Sequence, residues 1–483
     1  MPPSAQQNNK FRDYVVLPSL LLAIWLFLVS GSLTTTGMFM DGLIYSNVAA
    51  NLAEGTGSFW HLTYTASHHP EFYEHPPLMM GLLALFYKVF GVHLWVTKLY
   101  MAVSMLLCAW LTLLLWTRLG GKKENGWIPL LFWSLMPVVT HFANECMLEN
   151  TMLLFDVGAI LLILPHQPNP CKKQNSKFLS EPSVKADNKI QNSRGFIAGI
   201  LLAAAFMTKG FVGLFPLVLP LLIWLFDRER LSTKSMLLQT SLLLVGLLLP
   251  LAVIALSVPS AREYFVNYMD HQVLAAWSQN EDARWMVIVY FLRNIAIVVG
   301  LVLVVALLKK GLKHRPSSLE WTLWALVACA VLPMMVSTRQ NEYYILPAMP
   351  IVAVLTALLV EGEVSGWIKK VNKALPYISF SMLVGALLLN IFRFGSEGRD
   401  RLLQQDLKLI AAHLEKGERV SIPSELYYNY KLQGYYYRDL RVTLDDQQRC
   451  RHFLTTDQYQ PDSSYHPLNL PTKEYRLYEI NDL

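Results

Sequence analysis

The sequence predicts a polytopic α-helical membrane protein of about eleven spans with interfacial helices, and a small extracytoplasmic α/β domain at its C-terminal end. Three observations predict it. Only 16% of the residues are charged and mean hydropathy is +0.33, whereas soluble domains carry about a quarter charged residues. Uncharged runs of span length recur as far as about residue 395. From about Ser396 the apolar runs give way to one helical pattern and several short strand-like runs. The reading therefore divides the chain into a membrane domain, 1–395, and an outer domain, 396–483.

The apolar runs place spans near 14–36, 99–117, 127–143, 148–164, 195–208, 210–226, 235–257, 286–307, 320–337, 343–360 and 374–392. The first run is span-length and no small-residue cleavage site follows it, so it reads as a retained helix. With the N-terminus cytoplasmic, the inner segments hold 21 Lys and Arg and the outer loops six, and that asymmetry orients the helices. It leaves the C-terminus outside. The net charge of +6 comes from short basic clusters between spans, which is no nucleic-acid signature. The five cysteines form no CxxC pair and no disulfide framework.

The first outer loop, 36–98, opens with MFMDGLIYSNVAANLAEG (Met38–Gly55). Ile44, Val48 and Leu52 fall at i, i+4 and i+8, with Asn47, Asn51 and Glu54 off that stripe. The pattern predicts an amphipathic helix on the membrane surface, ended by Gly55. Pro76–Tyr87, about 12 residues, is too short to span and predicts an interfacial helix. The second outer loop, 258–285, has the same mixed character, and the polar 165–194 segment reads as a cytoplasmic linker. In the outer domain a helix ends at Gly417, followed by strand-like RVSIP, KLQGYYYR, LRVTL and YRLYEI.

Charged residues gather at the outer helix ends. Asp41 ends the first uncharged run, either as a helix-end or N-cap acid or as a catalytic base. Glu74 and His75 precede an interfacial helix, whose N-terminus suits an anionic phosphate. Glu145 and Glu149 are spaced i, i+4, and Asp156 lies seven residues beyond Glu149, inside a span. A buried acid there is either functional or paired with Arg293. Lys209 lies between two spans in MTKGFVG, where the turn needs only Gly210. Arg339 opens STRQNEYYILPAMP and is a bidentate phosphate donor by chemistry. Tyr343 and Tyr344 after it read first as an interfacial aromatic belt. His68, His69 and His75 with Glu71 and Glu74 are compatible with a divalent metal, without the spacing of a specific site.

This ordered series resembles the family 39 and related GT-C glycosyltransferases, which include protein mannosyltransferases and the bacterial aminoarabinose transferases that modify lipid A. The series is an acid after span one, a surface helix, E-x-P-P-L, an acid between spans, M-T-K-G, and R-x-x-x-Y-Y-x-L-P. The likeness covers residues 10 to about 360. It implies a GT-C-like membrane domain, inverting, in the bacterial inner membrane, with its site on the outer side. The implied donor is a polyprenyl-phosphate sugar, and the acceptor a lipid, glycan or protein. On the matching positions, Asp41 falls on the first-loop catalytic acid and Glu149 on the second acid. Lys209 falls on the K-G lysine, and Arg339 on a base facing the donor phosphate. His75 stands where the family often has lysine, and Gly42 where it often has a second acid. Glu74, Glu145, Asp156, Tyr343 and Tyr344, read from the sequence alone, are candidates for supporting places beside them. No organic cofactor is indicated; a divalent metal would draw on Asp41, His68 and His69. The competing class is a transporter or flippase of a lipid-linked precursor, which would show internal repeats and discontinuous midplane helices.

Overall fold

The computed structural model describes residues 11–165, 182–270, 283–336, 340–368 and 374–480, with the backbone alone for 182–192. Among these, eight helical segments are long and apolar enough to cross a membrane: Arg12–Leu33, Leu94–Arg118, Ser193–Phe226, Thr233–Ser257, Met286–Lys309, Ser318–Val336, Glu342–Ile368 and Leu375–Arg393. The chain is an integral membrane protein. The difference from eleven has local causes. The expected 127–143 span is two short helices, Trp127–Ser134 and Pro137–Phe142. Met136 is extended, and Pro137 cannot continue the ladder. Asn294 Oδ1 accepts the Val138 N–H at 2.6 Å, satisfying one donor freed at the new helix start. The expected 148–164 span is the 16-residue helix Leu148–Ile163, about 24 Å long at 1.5 Å per residue and shorter than a hydrocarbon core. The expected pair 195–208 and 210–226 is the single segment Ser193–Phe226, reversed at Gly210.

That reversal follows from one backbone angle. Gly210 has φ of 72°, in the left-handed region. A Cβ on Gly213 would lie 2.9 Å from the Ala205 side chain, so the chain after Gly210 doubles back along the helix before it. The helix itself, Pro182–Lys209, begins earlier than the sequence suggested and takes in the end of the 165–194 linker. Residues 166–181 of that linker lie outside the described residues.

The chain folds as two compact units: residues 1–29, 102–143 and 148–389, and residues 30–101, 144–147 and 390–483. In the first, Glu342–Ile368 is the central helix: 89% of its most apolar window is buried, against at most 50% for the other candidate spans. Pro182–Lys209 and Thr233–Ser257 meet at two glycines. A Cβ on Gly199 would lie 2.7 Å from Gly246 Cα, an approach that small residues permit.

The second unit is built around the helix Met40–Glu54, which ends as expected at Gly55 in left-handed geometry. Its setting differs from the expectation. Every residue from Gly42 to Asn51 is buried, so the helix does not lie on a membrane surface with a wet face. The asparagines off the apolar stripe are satisfied by protein. Asn47 Nδ2 donates to Gly434 O (2.9 Å), and Asn51 Nδ2 donates to the carbonyls of Thr63 (2.9 Å) and Tyr64 (2.8 Å). The interfacial helix Leu78–Phe90 packs beside it, with Pro77 at its N-cap.

The C-terminal sheet, order β2-β1-β3-β5-β4, comprises β1 (Arg419–Ser421), β2 (Thr443–Asp445), β3 (His452–Thr456), β4 (Tyr465–Pro467) and β5 (Tyr475–Ile480). β1 is parallel to β2 and β3; β5 is antiparallel to β3 and β4. KLQGYYYR is not a strand but part of the helix Tyr430–Leu440, capped by Asn429 Oδ1 accepting from Leu432 N. Leu432, Tyr435 and Tyr436 fall at i, i+3 and i+4 and are wholly buried, a helical spacing that outweighs tyrosine's strand preference. Gly434 lets this helix approach Met40–Glu54, since a Cβ there would lie 3.0 Å from Leu43 Cβ.

Gly210→Ala is expected to destabilise the protein by about 2–4 kcal/mol, from left-handed strain plus overpacking. The new Cβ would lie 1.9 Å from Tyr268 Oη. Thermal unfolding in detergent checks this, with Gly300→Ala as the control, because nothing lies within 4 Å of a Cβ at Gly300.

Candidate active site

In the first unit, Leu148–Ile163 and Pro182–Lys209 pack together and bring Glu149 against Lys209. Lys209 Nζ donates to Glu149 Oε1 in an ion pair, with Glu149 0% and Lys209 5% exposed. Tyr343 and Tyr344 cover the ammonium, their ring centroids 4.8 and 5.2 Å from Nζ. These tyrosines are thus not an aromatic belt. They face a buried cation, an arrangement that stabilises it through the ring quadrupoles. Tyr343 is fixed in turn by an edge contact to Phe142 at 5.5 Å.

Asp156 is also fully buried in this unit, and neither carboxylate oxygen has a hydrogen-bond partner. It is not paired with Arg293. Arg293 Nη2 meets Glu342 Oε1 at 2.6 Å, and Asn294 Nδ2 donates to the same oxygen at 2.7 Å. Glu342 directly precedes the two tyrosines, so this pairing anchors their segment. Arg339 lies outside the described residues, as do Glu281, Asp282 and His271.

In the second unit, Asp41 sits in the first turn of Met40–Glu54, half-buried, with Phe39 rather than Asp41 at the N-cap. The adjacent Gly42 has a steric cause. A Cβ there would lie 1.8 Å from Glu145 O, so no second acid fits beside Asp41. Glu145 itself supplies a carboxylate at this helix start: its Oε2 accepts the Phe39 N–H at 2.5 Å, and Arg399 Nη2 lies 3.9 Å from its Oε1. Glu145 does not share a helical face with Glu149, because the helix begins at Leu148 and Cys146 has φ of 56°. Lys98, which the sequence reading counted only as a loop charge, is buried. Its Nζ donates to Ser32 O (2.5 Å) and Asn144 O (3.2 Å) and ties the 144–147 turn in place. The signal for Lys98 was a lone lysine at the edge of an apolar run.

His75 and Glu74 precede the Leu78–Phe90 helix. His75 makes an edge contact with Tyr45 at 5.6 Å, and Glu74 lies 3.7 Å from His69 Nε2. His68 is 2% exposed, with ring centroids of His69, Tyr427 and Tyr430 at 4.5, 4.7 and 4.9 Å. Burial, helped by His69 and opposed by Asp446, pulls the His68 pKa down to about 4. Burial lowers that of His69 too. Among the described residues, no three His, Cys, Asp or Glu side chains come together as a metal-holding group.

Removing either partner of the Lys209–Glu149 pair leaves a buried charge, which costs about 3–5 kcal/mol, whereas removing both is far milder. Lys209→Met and Glu149→Gln should each lower the thermal midpoint sharply, and the double variant should regain most of the loss. Transfer activity measured on the folded double variant then reports the chemical role of the pair.

His68 gains a second expectation. Its folded pKa lies below its unfolded value of about 6.5, so the unfolded state binds the extra proton. Stability is full above about pH 6.5 and falls as the pH drops towards 4, by at most about 1.4 kcal/mol per pH unit. His68→Phe should flatten the acid limb of a stability–pH profile of the purified protein.

No family model matches the sequence, and no curated protein matches it. Among solved structures, ArnT from Cupriavidus metallidurans bound to undecaprenyl phosphate aligns with a TM-score of 0.68 and 14% identity, over 96% of this chain and 97% of that one. Its apo state gives 0.64 and 14% over the same shares. The archaeal oligosaccharyltransferase AglB from Archaeoglobus fulgidus, in complex with an inhibitory peptide and a dolichol-phosphate, gives 0.51 and 12%, over 92% of this chain and 70% of that one. End-to-end agreement at so low an identity is agreement of architecture, and the chain has the GT-C fold that the ordered motifs implied.

Proposed function

We propose that the protein is an integral-membrane glycosyltransferase that moves a sugar from a polyprenyl-phosphate donor to an extracytoplasmic acceptor. The observation that carries this reading is the whole-length likeness to ArnT, a structure holding undecaprenyl phosphate. AglB, of the same architecture, holds dolichol-phosphate. The residues of this chain support it at the positions the motifs marked.

In this reading the bond from the anomeric carbon to the phosphate oxygen breaks as an acceptor hydroxyl attacks from the opposite face, with inversion. The hydroxyl proton goes to the Asp41 carboxylate, which stands in the first turn of its helix. Polyprenyl phosphate leaves, and cations that meet its growing negative charge lower the barrier. Arg339, Lys209 and His75 take that part. Lys209 already has a carboxylate partner, so a phosphate would compete with Glu149 for it. Glu149 then holds the lysine in place between turnovers, under Tyr343 and Tyr344. Glu145 supports Asp41 by fixing the start of its helix. The Lys and Arg asymmetry supports a cytoplasmic N-terminus and an outer site and C-terminal domain in a bacterial inner membrane.

Transfer from radiolabelled polyprenyl-phosphate sugars in membranes tests the reading. Asp41→Asn should lose about 10²–10⁴-fold in rate, the range of a positioned general base. Equal transfer by wild type and variant would remove Asp41 from catalysis. Movement of the lipid-linked sugar across vesicles without covalent product would establish the transporter reading instead, for which the buried, unpartnered Asp156 is the supporting observation.

A further inference from the structure

A groove in the first unit is lined by residues other than those discussed above. It has a volume of about 640 Å³ and runs between Leu94–Arg118, Leu148–Ile163 and Pro182–Lys209. Its walls are Leu111, Leu114, Leu161, Leu162 and Leu201, with Arg118 at one end. Gly158 forms part of the wall, where a Cβ would lie 3.1 Å from Leu201 Cδ1. The missing side chain keeps the groove open.

The groove's end is strongly basic. Arg118 Nη2 donates to Leu161 O at 3.2 Å, a carbonyl in the last turn of its helix, so the guanidinium is held at the groove mouth. Arg194 lies close enough for the two charges to repel. Lys122 and Lys123 follow within five residues of Arg118. Two carboxylates stand at this turn: Glu124 within it, and Glu361, which accepts from Lys122 N (3.0 Å) and Asn125 Nδ2 (2.8 Å). This is the end that the Lys and Arg counts assign to the cytoplasmic leaflet.

We propose that this groove binds an anionic phospholipid, with one acyl chain along the leucines and its phosphate on Arg118 and Arg194. A methylene fills about the volume of a water, roughly 30 Å³, so the groove takes on the order of 20 of them, one long acyl chain. Arginine meets phosphate through paired N–H donors. Basic pockets between spans on the cytoplasmic side are where such headgroups are recognised. The site is independent of sugar transfer, so its failure would leave the transfer reading standing.

Native mass spectrometry of the full chain in detergent tests this, with phosphatidylglycerol and phosphatidylethanolamine added at equal concentration. The expected result is one retained phosphatidylglycerol, preferred about tenfold, an amount that two surface-leaflet charges supply. Arg118→Gln with Arg194→Gln should abolish the preference. Leu114→Trp, which fills the groove and leaves the arginines alone, should weaken binding of that lipid while the chain elutes as a folded species. Equal retention of the two lipids by wild type would overturn the proposal, as would a preference that survives both variants. Displacement of the phosphatidylglycerol by undecaprenyl phosphate would assign the groove to the donor lipid and overturn it too.

Discussion

A single steric fact organises the second unit: the backbone carbonyl of Glu145 occupies the space where a side chain at residue 42 would begin. Only glycine permits that approach. Because of it, the 144–147 turn packs onto the start of Met40–Glu54, and Glu145 can take the Phe39 N–H. Lys98 then closes the turn from the other side through two carbonyls. Asp41 is held in the middle of this assembly, on a helix whose next ten residues are all buried. The backbone that carries this carboxylate is thus fixed by packing on a buried helix. The absent second acid is therefore a consequence of packing, and a neighbouring segment brings its own carboxylate to the helix start.

The other unit solves a different problem, that of a cation with little access to water. Burying an ammonium is costly unless an opposite charge and further polar contact compensate. Glu149 provides the first and the faces of Tyr343 and Tyr344 provide the second. Arg293 and Asn294 then hold Glu342, which precedes the tyrosines. Asn294 also reaches the helix break at Pro137 through its other amide atom. One asparagine thus links an interrupted helix to the segment that carries the aromatic cover.

Much of this was legible in the sequence, because lipid imposes simple rules. Long uncharged runs located the eight apolar segments, and Gly55, Pro77 and Gly210 marked turns that the structure contains. The pairing of Lys209 with Glu149 was not legible, since 60 residues separate them and no local pattern joins them. The covered state of Met40–Glu54 was missed because Asn47 and Asn51 look like solvent-facing residues when their partners are unknown. Those partners lie 12 or 13 residues away, at Thr63 and Tyr64, or 387 away, at Gly434. KLQGYYYR misled for a related reason: tyrosines favour strands on average, and only the i, i+3, i+4 spacing of the buried ones distinguishes the helix.

The reach from Asn47 to Gly434 has a consequence for how the protein is made. The helix Met40–Glu54 leaves the ribosome early, but the segment that accepts its asparagine bond is 387 residues behind it. At roughly 5–20 residues per second, that is a delay of about 20–80 s. During it, Asn47 and Asn51 Oδ1 stand uncovered on the nascent chain, since Gly434 and Tyr437, which meet them, are not yet made. The second unit can close only when synthesis is nearly complete. A chain that stops short of residue 434 leaves the asparagine face of Met40–Glu54 without these contacts.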